Sequence, residues 1–244
     1  MNTVPYGTLY GIGVGPGDPD LIPVKSVHLL STLQVIFAAA STKNTHSQAV
    51  SIARPHLPES ADIRLLSFPM TKSRSEKEAC WDANARTIMA EMKKGQDVAF
   101  LTLGDPLTYA TYGYILKSIQ RLGPDLPVVT IPGISAYQAA AARVNQPLVE
   151  GEESLLILSG VEGGDHLRKL AASVDNVVFM KTYRNAGDIV DTLEEKGMLD
   201  TSVAVVNCGR ENEAVLTDIR ELKSRNSPYW TLILAKNPPP HEKN

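Results

Sequence analysis

Cysteine is scarce: a chain of 244 residues has two, Cys80 and Cys208, far apart and with no partner spacing. That argues against a disulfide framework or a cysteine zinc site and makes a reducing, cytoplasmic setting the expectation. No apolar run approaches the roughly 20 residues of a membrane helix. The start lacks the basic and apolar segments of a secretory leader, so none is expected. Positive charge is not in excess. Lys and Arg number 24 against 27 Asp and Glu, a net charge of −3, which gives no reason to expect a nucleic-acid surface. The histidines (His28, His46, His56, His166 and His241) are scattered without ligand spacing, and no protein-bound metal is expected. What remains is an ordinary globular balance, 43% hydrophobic and 21% charged.

Short, largely apolar runs alternate with helical stretches. The first-half strand candidates are Thr8–Val14, Gln34–Ala38, Ile63–Ser67, Asp97–Leu103 and Val128–Ile131. Runs of this kind suit parallel strands buried on both faces. Helical patterns lie between them at Pro23–Leu33, Thr45–Arg54, Ser75–Lys94 and Thr111–Leu122, and an alanine-rich helix follows in PGISAYQAAAARV. Lys93-Lys94-Gly95 reads as a cationic last turn with a glycine cap. The polar, turn-rich Asn145–Glu153 marks a boundary, giving domains 1–147 and 148–244. Beyond it come strands at Ser154–Leu158, Val177–Lys181, Val203–Asn207, Ala214–Leu216 and Trp230–Ala235. Helices are expected at Gly164–Ala172, Ala186–Lys196 and Asp218–Leu222, and the tail KNPPPHEKN reads as a polar terminus. Two α/β domains follow, each large enough for its own core.

Three turns carry the chemical signal. Strand one stops at GVGPGDP, which superficially resembles a dinucleotide fingerprint. The glycine spacing is wrong, Pro16 removes an N–H donor, and the acidic PGDPD repels a polyanion. The turn therefore suits close backbone approach by something uncharged or cationic, unless its glycines serve only strand–helix packing. LTLGDPLTYATY repeats the design, with Asp105 expected at a helix N-terminus, where capping alone explains it. IPGISAYQ is the third turn. Three such turns at the carboxyl ends of one sheet suggest a composite site.

GVGPGDPDL, GDPLTY and PGISAYQAAAA, in this order, resemble the class III S-adenosylmethionine-dependent methyltransferases that act on tetrapyrroles. Phe68–Thr71 (FPMT), the helix with Trp81, PLVEGEESLLILSG, VVFMKTYR and YWTLILAK are similar to the branch that methylates carbon 20 of precorrin-2 or cobalt-factor II in cobalamin biosynthesis. The resemblance implies a parallel sheet in the first domain, a mixed sheet in the second and an active site in the cleft between them. It also implies a homodimer. The donor, S-adenosylmethionine, has an uncharged nucleoside and a cationic sulfonium, which answers the turn chemistry, and S-adenosylhomocysteine is its product. By resemblance, Pro16, Gly104, Asp105, Thr108, Ser135 and Ala136 line the cofactor site, and Met180, Cys208 and Thr231 lie near its remaining contacts. One departure stands out: the acidic residue that uroporphyrinogen-acting relatives carry after strand two is replaced by Ala38 to Ala40, so its role does not carry over.

The implied reaction is attack of a nucleophilic meso carbon on a sulfonium methyl. Positioning can supply roughly 7–11 kcal/mol in favourable systems. Asp105, Lys181 and Tyr229 are the titratable candidates for orienting substrate, stabilising charge or moving the meso proton; a cap, a surface cation and an edge aromatic are the plain alternatives. The acceptor carries several carboxylates, for which Lys72, Arg74, Arg143, Arg184 and Arg210 are candidates. Lys72–Lys77 is either a lid over the substrate or a solvated charged loop. The rival readings are methylation at another ring carbon, a diphthine synthase relative, and a dinucleotide-binding module.

Overall fold

The computed structural model describes residues 5–41, 46–69, 71–170, 174–224 and 227–238. The chain divides between Ser135 and Ala136 into two compact units.

The first unit is built on a parallel sheet of five strands: β1 (Leu9–Gly13), β2 (Val35–Ser41), β3 (Asp62–Phe68), β4 (Val98–Thr102) and β5 (Val128–Ile131). Their order is β3-β2-β4-β1-β5. The apolar runs are continuous because both faces are covered. Ile12, Ile36, Ala38, Ala99 and Leu101 pack with α1 (Val24–Leu30) and α2 (Gln48–Ala53). Leu9, Phe37, Val98 and Phe100 point the other way, toward α3 (Arg74–Met92) and α4 (Tyr112–Leu122). Asp82 ties the two helices on that face together, accepting from Ser118 Oγ at 2.8 Å and from Arg121. Ser73 caps α3 by accepting from the Glu76 amide.

The second unit opens with α5 (Ala136–Val144) and carries β6 (Leu155–Ser159), β7 (Asn176–Met180), β8 (Ser202–Val206), β9 (Ala214–Leu216) and β10 (Thr231–Lys236). The sheet order is β6-β7-β10-β8-β9. It is mixed: β6 and β7 are parallel, β10 runs antiparallel to β7 and β8, and β9 antiparallel to β8. Ala140 and Ala141 of α5 are buried on one face with Val178, Val205 and Leu232. The helices α6 (Asp165–Lys169) and α7 (Ala186–Glu195) belong to the opposite core, around Phe179, Ile189 and Ile233. The units thus part ahead of the alanine-rich helix, whereas the polar stretch that suggested a boundary lies after it.

The strand segments expected from the sequence are all present with small shifts at their ends, and β5 and β9 have the bounds read for them. The first helix stops short, at Leu30, because the Ser31 and Thr32 hydroxyls donate back to the carbonyls of His28 and Leu29. The expected helix at Asp218–Leu222 is a 3-10 turn, Ile219–Lys223. Thr45, Ala171, Ala172 and most of the KNPPPHEKN tail lie outside the described residues.

Candidate active site

In the first unit β4 lies between β2 and β1, whereas the dinucleotide-binding order places β1 beside β2. The chain leaves β1 toward α1 on one face and leaves β4 toward α4 on the other. Their carboxyl ends therefore flank the switch point at which open α/β sheets bind ligands. The turns after β1, β4 and β5 meet there. Val14 N donates to Thr102 O at 3.0 Å and Gly104 N to Gly15 O at 2.7 Å. Gly15 and Gly104 have φ of +74° and +68°, conformations that cost a side-chain-bearing residue energy. A Cβ on Gly133 would stand 2.3 Å from Gly104 O, and one on Gly13 would stand 2.5 Å from the same oxygen. On Gly11 it would strike the Tyr112 ring at 2.1 Å. Gly11 and Gly13, both in β1, therefore face protein, in keeping with the packing alternative, and Gly13 and Gly133 let the turns after β1, β4 and β5 approach through backbone.

Asp105 locks the arrangement. Its Oδ1 accepts from Leu107 N at 2.9 Å and Thr108 Oγ1 at 3.2 Å, and its Oδ2 from Gly133 N at 3.3 Å. Because α4 begins only at Tyr112, Asp105 caps a turn and not a helix, contrary to expectation. Asp18 likewise caps the 3-10 turn Pro19–Leu21 through the Asp20 amide. Pro16 and Ser135 are buried. No Lys or Arg occurs in Val14–Leu21, Thr102–Tyr112 or Pro132–Ser135. A backbone-lined, cation-free cluster of this kind fits a neutral nucleoside with a cationic sulfonium and lacks the countercharge a polyphosphate needs.

In the second unit, β10 runs against β7 and β8, so its first residue lies at the same sheet end as the last residues of those strands. Met180, Lys181, Cys208 and Thr231 are gathered at that end. Lys181 and Asn207 close β7 and β8 in left-handed conformations, φ +60° and +54°. Both strand ends tie to the start of β10: Thr182 N and Oγ1 donate to Thr231 O at 3.2 and 3.0 Å, and Asn207 N donates to the carbonyl of Trp230, just before β10, at 3.0 Å. Thr231 is buried, its hydroxyl donating to Pro228 O at 2.8 Å. Burial holds the Lys181 ammonium below its ordinary range. Burial, then Glu213, push the buried Cys208 thiol up to about 11. Burial and neighbouring Tyr183 raise the Tyr229 phenol.

Cationic candidates divide sharply. Arg143 is ion-paired to Glu213, whose second oxygen accepts from Gly209 N at 2.7 Å. This clasp connects α5 to the loop carrying Cys208 and Arg210, and it makes Arg143 a structural partner instead of an open carboxylate receptor. Arg74, fully displayed on the first turn of α3, pairs with Glu78 at 2.8 Å. Helix thus takes over much of the Lys72–Lys77 stretch, leaving exposed Lys72 in the loop before it. Arg184 and Arg210 stand over rings: Arg184 Cζ is 5.2 Å from the Tyr183 centroid and Arg210 Cζ 4.2 Å from that of Trp230. Tyr229 lies between them, 5.0 Å from Tyr183 and 4.7 Å from Trp230.

Glu213, Tyr183 and Trp230 were not singled out by the sequence. The only available cue was the pairing of Tyr183-Arg184 and Tyr229-Trp230 with strand ends. Among the described residues no group of three or more His, Cys, Asp or Glu could hold a metal ion, and no helix is long and apolar enough to cross a membrane. His241, and Met70 of the FPMT stretch, lie outside the described residues.

Comparison with known proteins agrees with this geometry. A cobalt-precorrin-2 C(20)-methyltransferase of Salmonella typhimurium is 32% identical over 230 residues, covering 94% of this chain and 96% of that protein. A precorrin-2 C(20)-methyltransferase of Sinorhizobium sp is 31% identical over 246 residues, covering 96% and 97%. The solved uroporphyrin-III C-methyltransferase of Thermus thermophilus, complexed with S-adenosylhomocysteine, superposes with a TM-score of 0.64 at 22% identity, over 93% of this chain and 97% of that one. Residues 8–223 match the Tetrapyrrole (Corrin/Porphyrin) Methylases, and the chain belongs to that family.

Proposed function

We propose that the protein transfers the methyl of S-adenosylmethionine to carbon 20 of precorrin-2 or its cobalt-bearing counterpart. Membership in the tetrapyrrole methylases makes it a methyltransferase. The choice of carbon rests on identity to two C(20)-methyltransferases along nearly the whole length of all three chains. For the donor, the observation that carries the reading is the cation-free cluster of backbone turns at the β1/β4 switch point, which suits a nucleoside and a sulfonium. Gly104, Asp105 and Thr108, with Pro16, Ser135 and Ala136, would hold it there. Met180, Cys208 and Thr231 are proposed as further contacts from the second unit. The donor supplies an electrophilic methyl on a positively charged sulfur.

The chain's own groups must then hold the acceptor carbon and take its proton. Asp105 already accepts three hydrogen bonds from the protein, so its proposed part is to position the turns. Lys181 is the better base, because burial brings its ammonium closer to losing a proton near neutral pH. Tyr229, with its phenol pushed upward, stays protonated and suits a donor or relay. Arg184 and Arg210 are proposed to meet acceptor carboxylates, with Lys72 the least supported of the cations.

A turnover assay with S-adenosylmethionine, offering precorrin-2 and its cobalt form in parallel, tests this. Methylation of either supports the proposal and identifies the substrate. Tight S-adenosylhomocysteine binding with no methylation of either would keep the family and refute the substrate. We propose a cytoplasmic homodimer on the resemblance and the two free thiols, testable by fractionation and sedimentation.

A further inference from the structure

Five side chains of the second unit form an unbroken row with a cation at each end. Arg184 lies over Tyr183, Tyr183 packs on Tyr229, Tyr229 meets Trp230, and Trp230 lies under Arg210, at separations of 5.2, 5.0, 4.7 and 4.2 Å. Three chain segments contribute. Tyr183 and Arg184 follow β7, Tyr229 and Trp230 precede β10, and Arg210 joins them from the loop after β8. That loop is held by the Glu213 contacts to Gly209 and Arg143, so Arg210 is anchored from behind as well as by the indole.

We propose that this row is a docking surface for a flat, conjugated ring that carries carboxylates on its rim. The inference rests on the tetrapyrrole reading above and names the surface that recognises the substrate's shape and charge. The interplanar angles are 55° between Tyr183 and Tyr229 and 88° between Tyr229 and Trp230, so the rings cannot all lie flat against one ligand. Tyr229, exposed at 40%, offers the stacking face, and its two neighbours brace it. An aromatic face gains from a conjugated partner, and a guanidinium at either end meets rim carboxylates with paired N–H donors. In a protein of net charge −3, such a pair of arginines bounding one aromatic surface supplies local attraction for a polyanion.

The test uses full-length protein and uroporphyrin, a planar octacarboxylate, as the probe. Trp81→Phe leaves Trp230 as the sole indole, since the chain has two tryptophans. Binding is expected to quench Trp230 emission and to weaken as salt rises. Arg184→Gln, Arg210→Gln and Tyr229→Ala should each weaken it about tenfold, the weight of one charge-assisted pair or one stacked ring. Tyr229→Phe should bind like wild type, and S-adenosylhomocysteine affinity should stay unchanged throughout. No probe binding by the wild type, or equal affinities across the series, would overturn the proposal. If the row variants weaken probe binding but no precorrin-2 form is methylated, the substrate reading fails and the surface stands. If methylation proceeds with an unchanged tetrapyrrole KM in all three variants, the surface fails and the substrate reading stands.

Discussion

In the first unit the turns after β1, β4 and β5 meet through bare backbone, with Gly13 and Gly133 too close to the Gly104 carbonyl for any added carbon. In the second unit the corresponding strand ends, tied to one another by backbone, are built up by long side chains: Tyr183, Tyr229, Trp230, Arg210 and the Glu213–Arg143 clasp. The two regions should consequently fail in opposite ways. A cluster of backbone is broken by adding atoms, a cluster of side chains by removing them. The difference also matches the ligand each suits. A nucleoside is read at close range by turns, and a broad polycarboxylate by rings and guanidinium groups.

The largest effect should come from one methyl group. Gly133→Ala forces a Cβ to 2.3 Å from Gly104 O, backbone on both sides, and overpacking of that kind reaches about 3 kcal/mol. Denaturant unfolding should show that loss, and calorimetry the loss of S-adenosylhomocysteine binding. A neutral Gly133→Ala would break the contrast between the units.

Next is a pH window. Folded Cys208 keeps its proton to about 11, while the unfolded thiol releases it near 9.0. Between these values the native state binds more protons, so the stabilisation is complete below pH 9.0 and declines as pH rises toward 11. One group shifted this far contributes on the order of 2–3 kcal/mol. Tyr112 and Tyr229 are shifted the same way. The share belonging to Cys208 is therefore the part of the alkaline slope that Cys208→Ala removes, and an unaltered slope would count against its burial.

The clasp should show a graded loss. Glu213 serves both Arg143 and the Gly209 amide, so Glu213→Ala is expected to cost about 1.5–2 kcal/mol. Glu213→Gln keeps an acceptor for the amide and should cost less. Arg143→Gln should cost least, under about 1 kcal/mol, because its side chain is more than half exposed. Thermal unfolding of the three variants checks the order, and equal losses would contradict the double role.

Lys181 gives a smaller effect. At φ +60°, Lys181→Gly should be about 1 kcal/mol more stable than Lys181→Ala, since only glycine adopts that conformation without strain. Both should lose turnover if the amino group takes the proton. Last, Arg74→Ala should leave the Tm unchanged, its exposed i,i+4 pair being screened by solvent.

Much of the fold was legible because parallel strands buried on both faces read as continuous apolar runs, and β1 and β4 are of that kind. The strand order was not, for it depends on pairings such as Leu9 with Val98 that no local pattern encodes. The affiliation of α5 was hidden because its alanines suit either core. At the site, the turns were visible through Gly, Pro and Asp. Their mutual contact was not, since Gly133 reaches back to Gly13 and Asp105. Asp105 looked like a helix cap because Gly-Asp-Pro commonly precedes one, and the intervening Leu107–Thr111 turn displaced the helix. Arg143 looked available for a substrate because its partner lies 70 residues further on.

The most direct test of the account is turnover with S-adenosylmethionine carrying a 13C methyl, followed by 13C NMR of the tetrapyrrole product. The account predicts one labelled methyl, on the meso carbon at position 20. Label at any other ring carbon, or none with both the metal-free and cobalt substrates, would contradict it.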